Sequence, residues 1–129
     1  MRKETDRWFR QAEADLETAM ITLDGGRFYA AAQFAEQAAE KALKALYIER
    51  KGLLPPRTHE LKRLGEEFNA PENMLTELDA MADKYLAARY PDATVGLIPA
   101  ESINQESAEW HLDLAQRTLA WVRKQLSTQ

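Results

Sequence analysis

Apolar residues recur along this chain at helical spacing, and nowhere with the alternation of a strand. From Arg27 to Arg50 the run RFYAAAQFAEQAAEKALKALYIER contains no Pro or Gly and is built from strong helix formers. At about 100° per residue, Phe28, Ala31, Phe34, Ala35, Ala38, Ala39, Ala42, Leu43, Ala45 and Leu46 share one side. Tyr29, Gln33, Glu36, Gln37, Glu40, Lys41, Lys44 and Tyr47 hold the other. An apolar arc of roughly half the cylinder is wider than the stripe of a helix lying on one neighbour. Its alanines admit two or three helices at close range. This segment is expected at the centre of the fold, with its polar side wet and Glu40 and Lys44 paired there, four residues apart.

The other segments read as its cladding. A first helix is expected from Thr5 to Leu23, on the stripe Trp8, Ala12, Leu16, Ala19 and Leu23, widened by Phe9 and Met20. Asp24-Gly25-Gly26 stops it, and so short a link makes an antiparallel hairpin. Gly52 to Pro56 ends the central helix in an extended crossing, after which Thr58 caps a short helix carrying Leu61, Leu64 and Phe68. Pro71 suits the first turn of a fourth helix. Its stripe is Met74, Leu78, Met81 and Tyr85, with Leu75, Ala82 and Leu86 alongside. Pro91 disfavours helical geometry at Tyr90, so this helix should end near Arg89. The segment YPDATVGLIPAE reads as a loop. Ser102, with Gln105 three residues on, fits a capping box for a last helix bearing Ile103, Trp110, Leu114, Ala115, Val122 and Leu126. The expected fold is all-α: an up-and-down bundle of four long helices and one short one, a single domain over residues 1–129.

Composition narrows the chemistry. The absence of Cys removes disulfides, Cys-ligated zinc and a Cys nucleophile, and fits a reducing cytoplasm, the expected location. No run approaches eighteen apolar residues, so no membrane span is expected. A net charge of −4 argues against a broad basic surface for duplex DNA. There is no HExxH, no EF-hand loop, no GxSxG and no P-loop, so neither a metal nor a cofactor is expected. Carboxylate pairs such as Glu66-Glu67 and Glu36 with Glu40 read as solvated faces.

Two histidines are present. His59, in PPRTHELKRL, reads either as a polar helix-start residue or as a phosphate contact alongside Arg57, Lys62 and Arg63. His111 falls inside the apolar arc of the last helix, where a satisfied core or interface histidine is the simpler reading than a ligand. Arg89 sits at the last turn of the fourth helix. There it either satisfies terminal carbonyls, pairs with Asp92, or points into a groove as an anion-binding group with Tyr85 and Tyr90 nearby for stacking.

Three stretches together resemble the HEPN domain family: FYAAAQFAEQAAEKALKALYIERKG, RTHELKRLGEEF and YLAARYPD, in this order. The resemblance implies a helical bundle similar to the helical domain of kanamycin nucleotidyltransferase. It also implies a homodimer or higher homo-oligomer, and partnership with a separately encoded minimal nucleotidyltransferase of toxin–antitoxin type. Many HEPN proteins are metal-independent ribonucleases that use an Arg followed four to six residues later by a His. Arg89 occupies the Arg position, but those spacings fall on Thr94, Val95 and Gly96, none of which exchanges a proton at neutral pH. The resemblance therefore implies a non-catalytic nucleotide- or RNA-binding module. Arg89, Tyr90 and Asp92 would line its cleft, with Arg57 and His59 as further contacts. A ribonuclease with an unorthodox general base is the alternative.

Overall fold

A computed structural model describes residues 1–58, 60–89 and 96–128, including every side chain except those of residues 83 and 85–89. Six helices follow in order: α1 (Lys3–Asp24), α2 (Phe28–Lys51), α3 (Leu61–Glu66), α4 (Glu72–Arg89), α5 (Pro99–Ser102) and α6 (Gln105–Ser127). No strand occurs among the described residues. The four long helices form an up-and-down bundle. α1 and α2 make the expected hairpin, turning where Gly26 takes a positive φ of 78°. α4 runs antiparallel to α6, because Glu77 pairs with Arg117 while Lys84, further along α4, lies over Trp110. The C-terminal ends of α2 and α6 meet where Arg50 donates to the Gln125 carbonyl at 3.2 Å.

α2 is indeed central, packing against each of α1, α3, α4, α5 and α6. Ala31, Ala35, Ala38, Ala39, Ala42 and Ala45 are all 0 % exposed, as are Leu43 and Leu46. Complete burial of each of those two leucines contributes roughly 1.5–3 kcal/mol. α2 ends cleanly where Gly52 adopts φ 67° and donates its N–H to the Ile48 carbonyl at 2.8 Å.

Its polar side is not wet. Glu36 and Lys44 are buried, and no residue from Phe28 to Glu49 is fully exposed. Glu40 and Lys44 do pair, at 2.8 Å, but with both side chains almost out of water. The cause is topological: α2 packs against five other helices, and Asp15 of α1 and Phe68 reach its polar side at Lys41 and Tyr47. Glu36 with Glu40 is therefore no solvated face. Met20, conversely, lies outside the buried arc of α1.

Three helix starts also differ from expectation. Within the segment read as a loop, Pro99 opens α5, and the Glu101 carboxylate accepts the Ile98 N–H at 3.2 Å. Ser102 consequently closes α5, its Oγ donating to the Pro99 carbonyl. The cap of α6 is Asn104, whose Oδ1 accepts the Ser107 N–H at 2.8 Å. Thr58 holds the turn before α3 by accepting the Glu60 N–H at 3.0 Å, while Glu60 itself occupies the cap position. Pro71 precedes α4, and its carbonyl accepts the first helical N–H, from Leu75.

Candidate functional site

α4 ends at Arg89, as Pro91 two residues on dictates. The side chain of Arg89 lies outside the described residues, as do Tyr90, Asp92 and His59. Arg57 is described fully. It is exposed, in the crossing between α2 and α3, and makes no ion pair among the described residues.

Arg57 lines a groove of about 510 Å³ with Tyr47, Pro56, Thr58, Arg63, Leu64 and Glu67. The Tyr47 ring meets Phe68 edge-on, with centroids 6.2 Å apart, which fixes the plane it presents. Arg63 is held loosely, 3.5 Å from a mostly exposed Glu60 carboxylate. Glu67 is the acidic member, and the Lys51 ammonium bonds it at 2.8 Å. That hydrogen bond raises the Lys51 pKa above its ordinary value. With Glu67 offset by Lys51, the groove presents two guanidinium groups to an incoming anion. The sequence already sets Arg63 beside Arg57. It gives no sign of Tyr47, which reads as part of a polar face, or of Glu67, which reads as solvated, since only the fold of the crossing brings them to Arg57.

The structure does not bring Arg57 and Arg89 together within one chain. Arg57 lies near the C-terminal end of α2, level with the start of α4, whereas Arg89 closes α4 at the far end. The eighteen residues of α4 put roughly 25 Å of helix between these levels, at about 1.5 Å per residue.

His111 is a core residue, 0 % exposed. Its Nδ1 lies 2.8 Å from the Ser107 carbonyl, so Nδ1 carries the proton and donates. Nε2 is left as an acceptor with no partner among the described residues. Burial lowers the His111 pKa, the Lys84 charge adds to this, and the bond to Ser107 opposes it. A buried, neutral imidazole of this kind reaches no substrate. Among the described residues no group of three His, Asp or Glu is placed to hold a metal ion.

A strongly ionic arrangement joins α4 to α6. Arg117 donates to both Glu77 oxygens, at 3.0 and 2.6 Å, and through Nε to Asp113 at 2.8 Å. The guanidinium holds the Glu77 carboxyl below its ordinary pKa. The three side chains bond one another across two helices, so the cluster reads as a tie between helices.

Comparison with known proteins bears on the whole chain. No curated protein matches it. TT1696 from Thermus thermophilus, known from a crystal structure, is 31 % identical, with a TM-score of 0.88 over 95 % of this chain and 98 % of its own. The crystal structure of ST0689, an archaeal HEPN homologue, is also 31 % identical, with a TM-score of 0.80 over 98 % of this chain and 100 % of its own. The sequence pattern of the HEPN domain matches residues 5–125, and on this match the chain belongs to the HEPN domain family.

Proposed function

We propose that this chain is a non-catalytic HEPN module that binds a nucleotide or single-stranded RNA. In this reading it is a homo-oligomer partnered with a minimal nucleotidyltransferase in a toxin–antitoxin-like pair. The observation that carries the reading is the sequence at the end of α4. Arg89 is followed by Tyr90-Pro91-Asp92, and the positions of a ribonuclease histidine hold Thr94, Val95 and Gly96. An Arg retained without a proton-transfer partner favours holding a phosphate over cleaving one. The Arg57–Arg63 groove, with its oriented Tyr47 ring, is a second place suited to phosphate and base.

A metal-independent ribonuclease requires a general base. The complete burial of His111 removes it from that role and leaves His59 as the imidazole to test. The test is calorimetry with nucleotides and short RNA on the wild type and Arg89→Ala, with the RNA run on a gel afterwards. Binding lost in Arg89→Ala, with intact RNA, supports the module. Cleavage that survives chelation and disappears in His59→Ala establishes the ribonuclease instead. Equal binding by wild type and Arg89→Ala removes Arg89 from the site.

A further inference from the structure

Past the Gly52 turn the chain leaves α2 and presents two leucines to solvent, Leu53 62 % and Leu54 82 % exposed. A single exposed leucine is ordinary, but this adjacent pair stands outside every helix and enters no core cluster. Pro55 and Pro56 follow it. Prolines carry no N–H and keep the preceding residue out of helical geometry. The leucines therefore stay presented, and two fewer backbone donors oppose their transfer into an apolar phase.

The pair is set among cations. A groove of about 360 Å³ separates it from the start of α1, where Arg2, Lys3 and Glu4 form the facing wall. The Arg2 guanidinium lies against Gly52, where an added Cβ would come within 3.0 Å of it. Arg50 and Lys51 precede the pair and Arg57 follows it. The acidic neighbours are occupied: Glu4 accepts from Arg7, Glu67 from Lys51, and the Glu49 carboxylate from the Arg2 backbone N–H. Lys3 and Arg57, by contrast, are exposed and enter no ion pair among the described residues. Arg50 gives a donor to the neutral Gln125 carbonyl, which leaves its charge uncancelled. The result is an apolar tip inside a positive collar.

We infer that the Leu53–Leu54 tip is a peripheral membrane contact, entering the surface of a bilayer that bears anionic lipids while Arg2, Lys3 and Arg57 meet the headgroups. The composition of the patch selects this occupant over two others. Nucleic acid would use the cations and leave both leucines in water. Protein interfaces are anchored by aromatic and arginine side chains seated in pockets, whereas the apolar part here is aliphatic and no aromatic lines the groove beside it. A bilayer takes both parts, since its acyl boundary receives the leucines and its negative surface attracts the collar. The other exposed apolar pair, Leu97 and Ile98, does not fit, because the Glu101 carboxylate bonds the Ile98 N–H and sets negative charge beside it. One short tip with a few cations makes an attachment that is reversible and salt-sensitive.

The test is co-sedimentation of the full chain with two kinds of vesicle, phosphatidylcholine alone and phosphatidylcholine mixed equally with phosphatidylglycerol. Wild type should sediment with the mixed vesicles at low salt, be released as salt is raised, and stay in solution with phosphatidylcholine alone. Leu54→Ser should weaken the attachment roughly ten-fold, and Lys3→Gln about five-fold. Ile98→Ser should leave it unchanged. These side chains are all exposed, so circular dichroism should find each variant folded like the wild type. Wild type that stays in solution with the mixed vesicles overturns the inference, as does equal attachment to both kinds of vesicle. So does a Leu53→Ser, Leu54→Ser double variant that sediments as well as wild type, or an Ile98→Ser loss as large as that of Leu54→Ser. No nucleotide enters this readout, so the membrane contact and the proposed function fail separately.

Discussion

Acidification should destabilise this protein through His111, and the sign follows from its surroundings. The imidazole is fully buried, donates from Nδ1 to Ser107 and leaves Nε2 unpartnered among the described residues. A proton on Nε2 would place a charge in the core with nothing to receive it, and Lys84 repels it further. The folded pKa is therefore lowered below the ordinary value of 6.5. Above that value both folded and unfolded chains hold a neutral imidazole, and stability is complete. As pH falls below it the unfolded chain takes up a proton that the folded chain refuses, and stability drops until the folded pKa is reached. The slope over that window approaches about 1.4 kcal/mol per pH unit for one proton. Urea unfolding followed by circular dichroism from pH 8 to pH 5, on wild type and His111→Phe, isolates this contribution, because His59 is common to both. The difference in stability should be flat above about pH 7 and should move against the wild type below about 6.5. A difference independent of pH would falsify the assignment, and one moving in favour of the wild type would mean that His111 gains an anionic partner on folding.

Three further outcomes follow from the packing. Lys44→Ala breaks an ion pair whose side chains are almost out of water and should cost about 1.5–3 kcal/mol, whereas the double replacement Glu40→Gln with Lys44→Met should recover most of that in thermal melts. A double-mutant cycle on Glu77 and Arg117 should give a coupling near ~1 kcal/mol, reduced by their partial exposure and shrinking further in salt; a coupling of zero would mean the bidentate bond contributes nothing to joining α4 and α6. Asn104→Ala should lower stability by about 1 kcal/mol through loss of the α6 cap, and Ser102→Ala by clearly less; the reverse order in urea titrations would restore Ser102 as the cap.

The fold was legible because its centre is written in a local signal. The Ala-rich face of α2 shows in period and composition alone, and the same periodicity finds α1, α4 and α6. What periodicity cannot show is how many neighbours a helix has. Glu36 and Lys44 lie on the polar side of α2, yet both are buried in a helix that packs against five others, and nothing local reports that cover. Helix starts failed for a related reason. Ser102 reads as the cap from its spacing to Gln105, but α5, opened by Pro99, consumes it and Asn104 caps α6 instead. The site was half legible. Arg57 and Arg63 are visible as basic residues near His59, but the groove also needs Tyr47 from α2 and Glu67 from beyond α3, which only the crossing assembles.

Arg57 and Arg89 sit at opposite ends of α4, so a single nucleotide bound by one chain cannot touch both. The two positions should therefore answer separately in calorimetry. The loss of a charge-assisted phosphate contact is worth about 1.5–3 kcal/mol, or roughly ten- to a hundred-fold in affinity, well within calorimetric range. On the proposed function, Arg89→Ala should weaken nucleotide binding by that much, and Arg57→Ala should leave the ligand at Arg89 in place. An Arg57→Ala effect of the same size beside an undiminished Arg89→Ala effect would place a second, independent anion site in the Tyr47–Arg63 groove. No effect of Arg57→Ala would confine phosphate recognition to the end of α4.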